Sequence, residues 1–112
     1  MRQPQDVSNH ARKERLLQEL KSLKDEYAAR GVSICGLFGS LARGEEGPTS
    51  DIDVAIRLES DFLQKRDVWD YFDTIDSIRQ RLTAQYGRQV DVFDLDSNPL
   101  VSQKIQKEMI HV

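Results

Sequence analysis

Two short groups of residues in the first half of the chain have the types and spacing needed for chemistry on a phosphorylated substrate. Gly39-Ser40 directly follows an apolar run, and Asp51-Ile52-Asp53 opens another apolar run after a short polar interval. A glycine lets backbone amides approach a phosphate closely, and Ser40 adds a hydroxyl. Two carboxylates that lie two residues apart on a strand project from the same face and can share a divalent cation. Together, these groups predict a site that binds and activates a nucleoside triphosphate.

A third carboxylate is expected from a later strand, Val90 to Leu95. Asp91 lies between two apolar residues that would face the core, so its side chain should lie on the open face. Asp94 and Asp96 are rivals, but they lie farther from the strand start, where Asp53 should be. Such a set can hold two metal ions that activate an attacking hydroxyl and hold the triphosphate, and Asp91 could accept the hydroxyl proton.

Arg43 follows the glycine-serine turn by one helical turn, where its guanidinium could bind a phosphate oxygen or an acidic loop residue. Taken alone, a glycine-serine pair is an ordinary turn and an Asp-x-Asp pair is solvated surface. Their combination with a strand–turn–helix and a third carboxylate favours function. Of the other reactive side chains, Cys35 should be a buried, unreactive thiol, and His10 and His111 should be ordinary surface residues.

The elements that must position these residues follow from hydrophobic periodicity. Leucines at three- and four-residue spacing predict a helix from Asp6 to about Arg30. The second long helix should begin at a cap at Asp67 or a neighbouring residue, carry an apolar stripe and end at Gly87, with Trp69 and Tyr71 packed. The stripe comprises Val68, Phe72, Ile75, Ile78 or Arg79, Leu82 and Tyr86. The remaining predicted elements are strands Ser33–Phe38, Ile52–Leu58 and Val90–Leu95, a short helix around Leu41–Arg43, a loop from Gly44 to Ser50 and a last helix from Leu100 to about Met109.

The strand directions follow from the requirement that the predicted phosphate-binding and metal-binding residues lie close together. The end of the first strand carries Gly39-Ser40 and the start of the second carries Asp51 and Asp53, so these strands should be antiparallel. A long helical crossover joins the second strand to the third, which is the usual connection between parallel strands. The predicted fold is therefore α/β, or α+β, with a small mixed three-stranded sheet, helices packed on one face and an open polar site on the other.

Composition limits the classes of function. The 112 residues are expected to form a single domain, residues 1–112, and no apolar run approaches the roughly 20 residues of a membrane span. One cysteine and the absence of an apolar leader favour a cytoplasmic location. The net charge of −3, with no long basic block, disfavours direct nucleic-acid binding but allows a triphosphate or a protein partner.

The motifs resemble those of the minimal nucleotidyltransferases (MNT domains) of the DNA polymerase β superfamily. The matching segments are Gly39-Ser40-Leu41-Ala42-Arg43-Gly44, Ser50-Asp51-Ile52-Asp53 and Val90-Asp91-Val92-Phe93. The resemblance covers nearly the whole chain and implies a polymerase-β-like nucleotidyltransferase fold. It also implies that Asp51, Asp53 and Asp91 are catalytic and bind Mg²⁺, two ions in all, and that Gly39, Ser40, Arg43 and Ser50 bind the nucleotide.

Small proteins of this kind are commonly antitoxins paired with a helical HEPN-domain toxin. The resemblance thus implies magnesium-dependent transfer of AMP from ATP to a hydroxyl of that toxin, with tyrosine as the expected acceptor and an oligomer with the toxin allowed. Two alternatives remain open. The domain could neutralise its partner by occlusion alone, or it could modify a small molecule. The complete carboxylate set favours transfer over occlusion, and the missing substrate domain favours a protein acceptor over a small molecule.

Overall fold

The computed structural model describes residues 4–44, 51–60 and 62–112. Its central element is a mixed sheet built from segments that are distant in sequence. The predicted helices and strands are present, with small shifts at their ends, and the polar connection after the second strand contains a short helix. The elements are α1 (Pro4–Ala28), β1 (Val32–Phe38), α2 (Gly39–Arg43), β2 (Ile52–Leu58), α3 (Phe62–Lys65), α4 (Val68–Tyr86), β3 (Val90–Asp94), α5 (Pro99–Glu108) and β4 (Ile110–His111).

The strand directions are those expected from the sequence. The sheet order is β3-β2-β1-β4, with β1 antiparallel to β2 and β2 parallel to β3. In this register Phe38 pairs with Asp53, and Asp53 pairs with Asp91. The last residue of β1 and the early residues of β2 and β3 therefore meet at one end of the sheet.

The described residues form a sheet of four strands, so the predicted number of three was wrong. Ile110 pairs with Leu37 and His111 pairs with Gly36, which adds β4 antiparallel to β1. A two-residue strand is too short to show an alternating pattern, and here it directly follows a helix. The side chain of His111 is exposed, as predicted for a surface residue, while its backbone belongs to the sheet.

A register shift between Ile34 and Gly36 determines which face of β1 is buried. Strict alternation would point Ile34 and Leu37 to opposite faces, yet both belong to the same buried cluster. The bulge adds one residue to β1 and so returns Leu37 to the face of Ile34. Cys35 lies at the irregularity and is only partly buried, and burial raises the pKa of its thiol, which fits the expected low reactivity.

Helices cover both faces of the sheet, although unequally. The larger cluster joins α1 and α4 to the face of Val54 and Ile56, as predicted. A smaller cluster on the opposite face contains Ala55, Leu95 and Ile105 of α5. The expectation that helices pack on one face only was therefore incomplete, because α5 covers part of the face that carries Asp53. No helix of the described residues has both the length and the apolar character needed to cross a bilayer.

The second long helix, α4, begins and ends as predicted. Asp67 caps it in a reciprocal capping box with Asp70, and Gly87 ends it in the left-handed conformation. Its buried stripe begins later than expected, and the ring of Tyr71 packs against Phe62, as predicted for Tyr71. Three apolar side chains of the first two turns are exposed, namely Val68 (49%), Trp69 (72%) and Phe72 (57%), so the expectation that Trp69 packs was wrong.

The β1–β4 pairing predicts that Gly36→Ala is strongly destabilising. A Cβ at this position would lie 2.3 Å from the backbone oxygen of Ile110 and 2.7 Å from Met109 Cγ, so β4 would have to move. We expect a loss of about 1–3 kcal/mol in the free energy of unfolding, measured by urea denaturation. Ser33→Ala, at an exposed position of the same strand, should change it by less than about 0.5 kcal/mol. Equal stability of the two variants would contradict the tight β1–β4 contact.

Candidate active site

The glycine turn places backbone directly against a carboxylate. Gly39 joins β1 to α2 with φ +78°, a left-handed conformation that favours glycine. A Cβ added there would lie 2.1 Å from Oδ2 of Asp53. Gly39 was predicted to let a phosphate approach the backbone. The close approach of the Asp53 side chain is a second reason why this residue has no side chain.

Three carboxylates predicted from the sequence influence one another electrostatically. Burial, followed by the charges of Asp91 and Asp51, raises the pKa of Asp53 to about 6. Asp53 and Asp91 are register partners on adjacent parallel strands, and Asp51 immediately precedes β2. The rival Asp94 instead pairs with Ile56 and accepts a hydrogen bond from the Asp96 amide, so both rivals lie toward the far end of β3.

The carboxylates do not form a preassembled metal cage. Within the parts of the chain that the structure describes, no three His, Cys, Asp or Glu side chains converge closely enough to hold a metal ion. Burial is the main cause of the raised pKa of Asp53, and the neighbouring negative charges of Asp91 and Asp51 raise it further, an effect that a divalent cation would offset. Magnesium commonly binds through one or two carboxylates, with waters and substrate phosphates completing its shell. The donor set therefore fits a metal that binds together with a nucleotide.

The predicted nucleotide-binding residues are only partly grouped in the structure. Ser40 lies in the first turn of α2, next to Gly39, and is partly buried. Arg43 lies in the last turn of the same helix, where it forms an ion pair with Glu108 at 2.8 Å. Among the described residues this acidic partner lies on α5, and most of the loop in which an acidic partner was expected lies outside the described residues. Ser50 lies outside the described residues.

Glu108 is the residue of the site that sequence reasoning missed. Its Oε1 accepts a hydrogen bond from the Gly39 amide at 3.1 Å, and its Oε2 accepts one from Arg43 Nη1. The hydrogen bond from Arg43 is the main cause that lowers the pKa of Glu108, with a smaller contribution from the Gly39 amide. No local pattern marks Glu108, because its partners lie 65 and 69 residues earlier in the chain. Only the position of α5 against the sheet brings it to the turn.

A cavity of about 970 Å³ lies on the other side of the sheet from these carboxylates. Its lining includes Leu16, Leu41 and Ile52, whose side chains belong to the cluster beneath α1 and α4. Asp53 projects from the opposite face of β2 to Ile52. The cavity and the carboxylates are therefore separate features.

A family model supports the interpretation of this geometry. The model described as polymerase beta, nucleotidyltransferase matches residues 18–112, which include the glycine turn, the paired aspartates and Glu108. The chain belongs to the polymerase β nucleotidyltransferase family. This family membership makes the protein a nucleotidyltransferase and makes the carboxylate end of the sheet its candidate active site.

Individual relatives are archaeal proteins of similar length. "Putative protein adenylyltransferase MJ1379" of Methanocaldococcus jannaschii is 32% identical over 102 residues, which is 89% of this chain and 93% of the relative. "Putative protein adenylyltransferase MJ1217" of the same organism is 31% identical over 107 residues, with the same coverage of both chains. This chain is therefore similar to these relatives over almost their whole length.

Solved structures show the same fold. A chain described as a putative minimal nucleotidyltransferase superimposes with a TM-score of 0.66 and 24% identity, covering 89% of this chain and 95% of the other. A chain from a toxin–antitoxin crystal structure with AMP-PNP superimposes with a TM-score of 0.59 and 20% identity, covering 82% and 70%. The fold is that of a minimal nucleotidyltransferase, with the fourth strand described above.

The contact between Gly39 and Asp53 predicts that Gly39→Ala impairs nucleotide binding. The new methyl group would force the Asp53 carboxylate to rotate away, so the affinity for a magnesium–nucleoside triphosphate should fall at least roughly tenfold, or about 1.4 kcal/mol, by calorimetry. Gly44→Ala is the matched control, because Gly44 has φ +77° but no atom within 4 Å of an added Cβ. Both variants bear the same backbone strain, so equal affinities would exclude a specific role for the contact.

The raised pKa of Asp53 predicts a metal-free stability that depends on pH. The folded state binds the Asp53 proton more tightly than the unfolded state does, since the pKa is about 6 when folded and 3.8 ordinarily. This contribution is complete below about pH 4 and is lost as the pH rises through 6. With chelator present, Asp53→Asn should therefore be more stable than the native protein at pH 8, by about 1–2 kcal/mol after solvent screening, and much less so at pH 4.

Thermal and urea unfolding at both pH values measure this difference. Asp73→Asn, which removes an exposed carboxylate of α4, serves as the control and should show no comparable gain at pH 8. An Asp53→Asn variant that is less stable than the native protein at pH 8 would show that the Asp53 charge is not destabilising.

Proposed function

We propose that this protein transfers AMP from ATP to a hydroxyl group of a partner protein. The observation that carries the proposal is the register that places Asp53 beside Asp91 and against Gly39 at one end of the sheet. Carboxylates on adjacent strands next to a glycine turn are the arrangement needed to hold a metal-bound triphosphate. Relatives that are named as protein adenylyltransferases, and that match over almost their whole length, support a protein acceptor.

In this proposal, Asp51, Asp53 and Asp91 hold Mg²⁺, two ions as in the sequence-based expectation. When bound, Mg²⁺ neutralises phosphate charge and lowers the pKa of the attacking hydroxyl. Gly39 and Ser40 bind the triphosphate, and Arg43 and Ser50 complete the nucleotide site. A guanidinium has five N–H donors, so the pairing of Arg43 with Glu108 is compatible with a phosphate contact.

The reaction balances with these groups alone. The acceptor oxygen attacks the α-phosphorus of ATP, its proton passes to the exposed Asp91, and the bond to the β-phosphate breaks to release pyrophosphate. β3 is an edge strand of the sheet, so Asp91 lies at a side that a large acceptor can approach. A macromolecular partner could thus supply the other wall of the site.

The proposed partner is a toxin. One solved chain of the same fold comes from a toxin–antitoxin complex with AMP-PNP, which supports a toxin as the acceptor. The resemblance noted from the sequence adds that this toxin is a HEPN-domain protein and that the acceptor is a tyrosine. The protein would then act as a catalytic antitoxin in the cytoplasm.

Neutralisation by binding alone is the second candidate, and the exposed side chains of α4 offer a surface through which it could occur. Trp69 and Phe72 present large apolar surfaces to solvent, on a different face from the carboxylates. Exposed aromatic side chains are enriched at protein–protein contacts. Both candidates require an interface, so the measurement that separates them must detect the transferred group.

The proposal predicts that the partner gains the mass of one AMP when co-expressed with the native protein. Asp51→Ala/Asp53→Ala should leave the partner unmodified, and Asp53→Asn alone should slow transfer at least about a thousandfold, or roughly 4 kcal/mol. The measurement is the intact mass of the partner protein, which is encoded by the gene neighbouring this one.

A Trp69→Ala/Phe72→Ala variant keeps every proposed catalytic residue and tests the contribution of the α4 surface. A partner that stays unmodified yet is inhibited equally by the native and double-alanine proteins would leave occlusion as the function.

A further inference from the structure

A single side chain bridges the two ends of α2. One oxygen of Glu108 accepts the amide proton of Gly39, the first residue of the helix, and the other pairs with Arg43, the last. The two contacts use different oxygens, so both can be made at once. Glu108 therefore constrains the position of the whole glycine turn rather than that of one residue.

The carboxylate is presented from a well-anchored backbone. On the N-terminal side, Ile105 of α5 is buried in the cluster that includes Ala55. On the C-terminal side, Ile110 pairs with Leu37 in the sheet. Glu108 lies between these two fixed residues, so its contacts hold α2 at a set position relative to the sheet.

The contact with the Gly39 amide distinguishes Glu108 from an ordinary surface ion pair. The Arg43 and Glu108 side chains are 44% and 30% exposed, and such an ion pair by itself contributes little to stability. A carboxylate that accepts a backbone amide proton makes a stronger, directional bond. That amide belongs to the residue whose Cα touches the Asp53 side chain, so a shift of the turn would alter the position of Asp53.

We propose that Glu108 is a positioning residue for the nucleotide site, which holds Gly39 and Arg43 where the triphosphate binds. The inference rests on the proposed function, because it assigns that site to a nucleotide. In this role Glu108 acts through Gly39 and Arg43 rather than through a contact of its own with the nucleotide or the acceptor. It fixes the first residue of the turn through the amide, and the turn presents Ser40 to the phosphates.

Calorimetry with MgATP on the full chain tests the proposal. Glu108→Ala removes both contacts and should weaken MgATP binding roughly tenfold or more, as expected for losing a charge-assisted hydrogen bond. Glu108→Gln keeps an oxygen that can accept the Gly39 amide proton and should recover part of the affinity. Lys107→Gln changes the charge of the neighbouring exposed residue of α5 and should bind like the native protein.

Two further readouts separate positioning from a general loss of folding. The backbone amide resonance of Gly39 should move in Glu108→Ala and stay near its native position in Glu108→Gln, while the resonances of β2 and α4 remain. In an Arg43→Ala background, Glu108→Ala should cost less affinity than it does in the native protein, because one of its two contacts is already gone.

The outcomes separate the inference from the proposed function. Native protein that fails to bind MgATP overturns the proposed function, and the inference with it. Native protein that binds MgATP while Glu108→Ala binds equally well or more tightly overturns the inference alone. Tighter binding would mean that the carboxylate competes with the triphosphate for the turn. An affinity lost in Glu108→Ala without any displacement of the Gly39 amide resonance would likewise overturn it.

Discussion

The close approach of the Asp53 carboxylate to the Cα of Gly39 is the contact on which the site depends. It requires an antiparallel β1–β2 pair whose register places Phe38 opposite Asp53, and a following residue without a side chain. The register depends in turn on the bulge near Gly36, which keeps Ile34 and Leu37 on one buried face. Packing of the core and geometry of the active site are therefore set by the same stretch of β1.

Negative charge is concentrated at the same end of the sheet, where it does not stabilise the fold. Asp53 is partly buried next to Asp91, and its proton is held more tightly than that of an ordinary aspartate. Perturbed carboxylates of this kind are typical of functional sites, where stability is given up for chemistry. The hydrogen bonds of Glu108 satisfy polar groups of Gly39 and Arg43 at the edge of this region, while its charge adds to those that raise the pKa of Asp53.

Local signals were sufficient to predict much of the fold. The cap at Asp67, the end at Gly87 and the directions of β1, β2 and β3 follow from nearby residues and connection lengths. The remainder depends on contacts between distant segments. β4 is too short to have a period, and the first two turns of α4 leave Val68 and Phe72 exposed although the apolar pattern predicts a buried stripe there. For the site, sequence identified Gly39 and Asp53 by type and spacing, whereas Glu108 reaches the turn only through the packing of α5.

The exposure of Trp69 gives the protein a built-in optical probe. It is the single tryptophan of the chain, so the intrinsic indole emission comes from one known place. Trp69 lies in the first turn of α4, which has 19 residues and is therefore about 28 Å long. The last turn of this helix leads to the start of β3, where Asp91 lies. Indole fluorescence should therefore be nearly insensitive to nucleotide at the carboxylates and should respond to a macromolecule that covers the start of α4. One spectrum can thus distinguish occupancy of the active site from association at a separate surface.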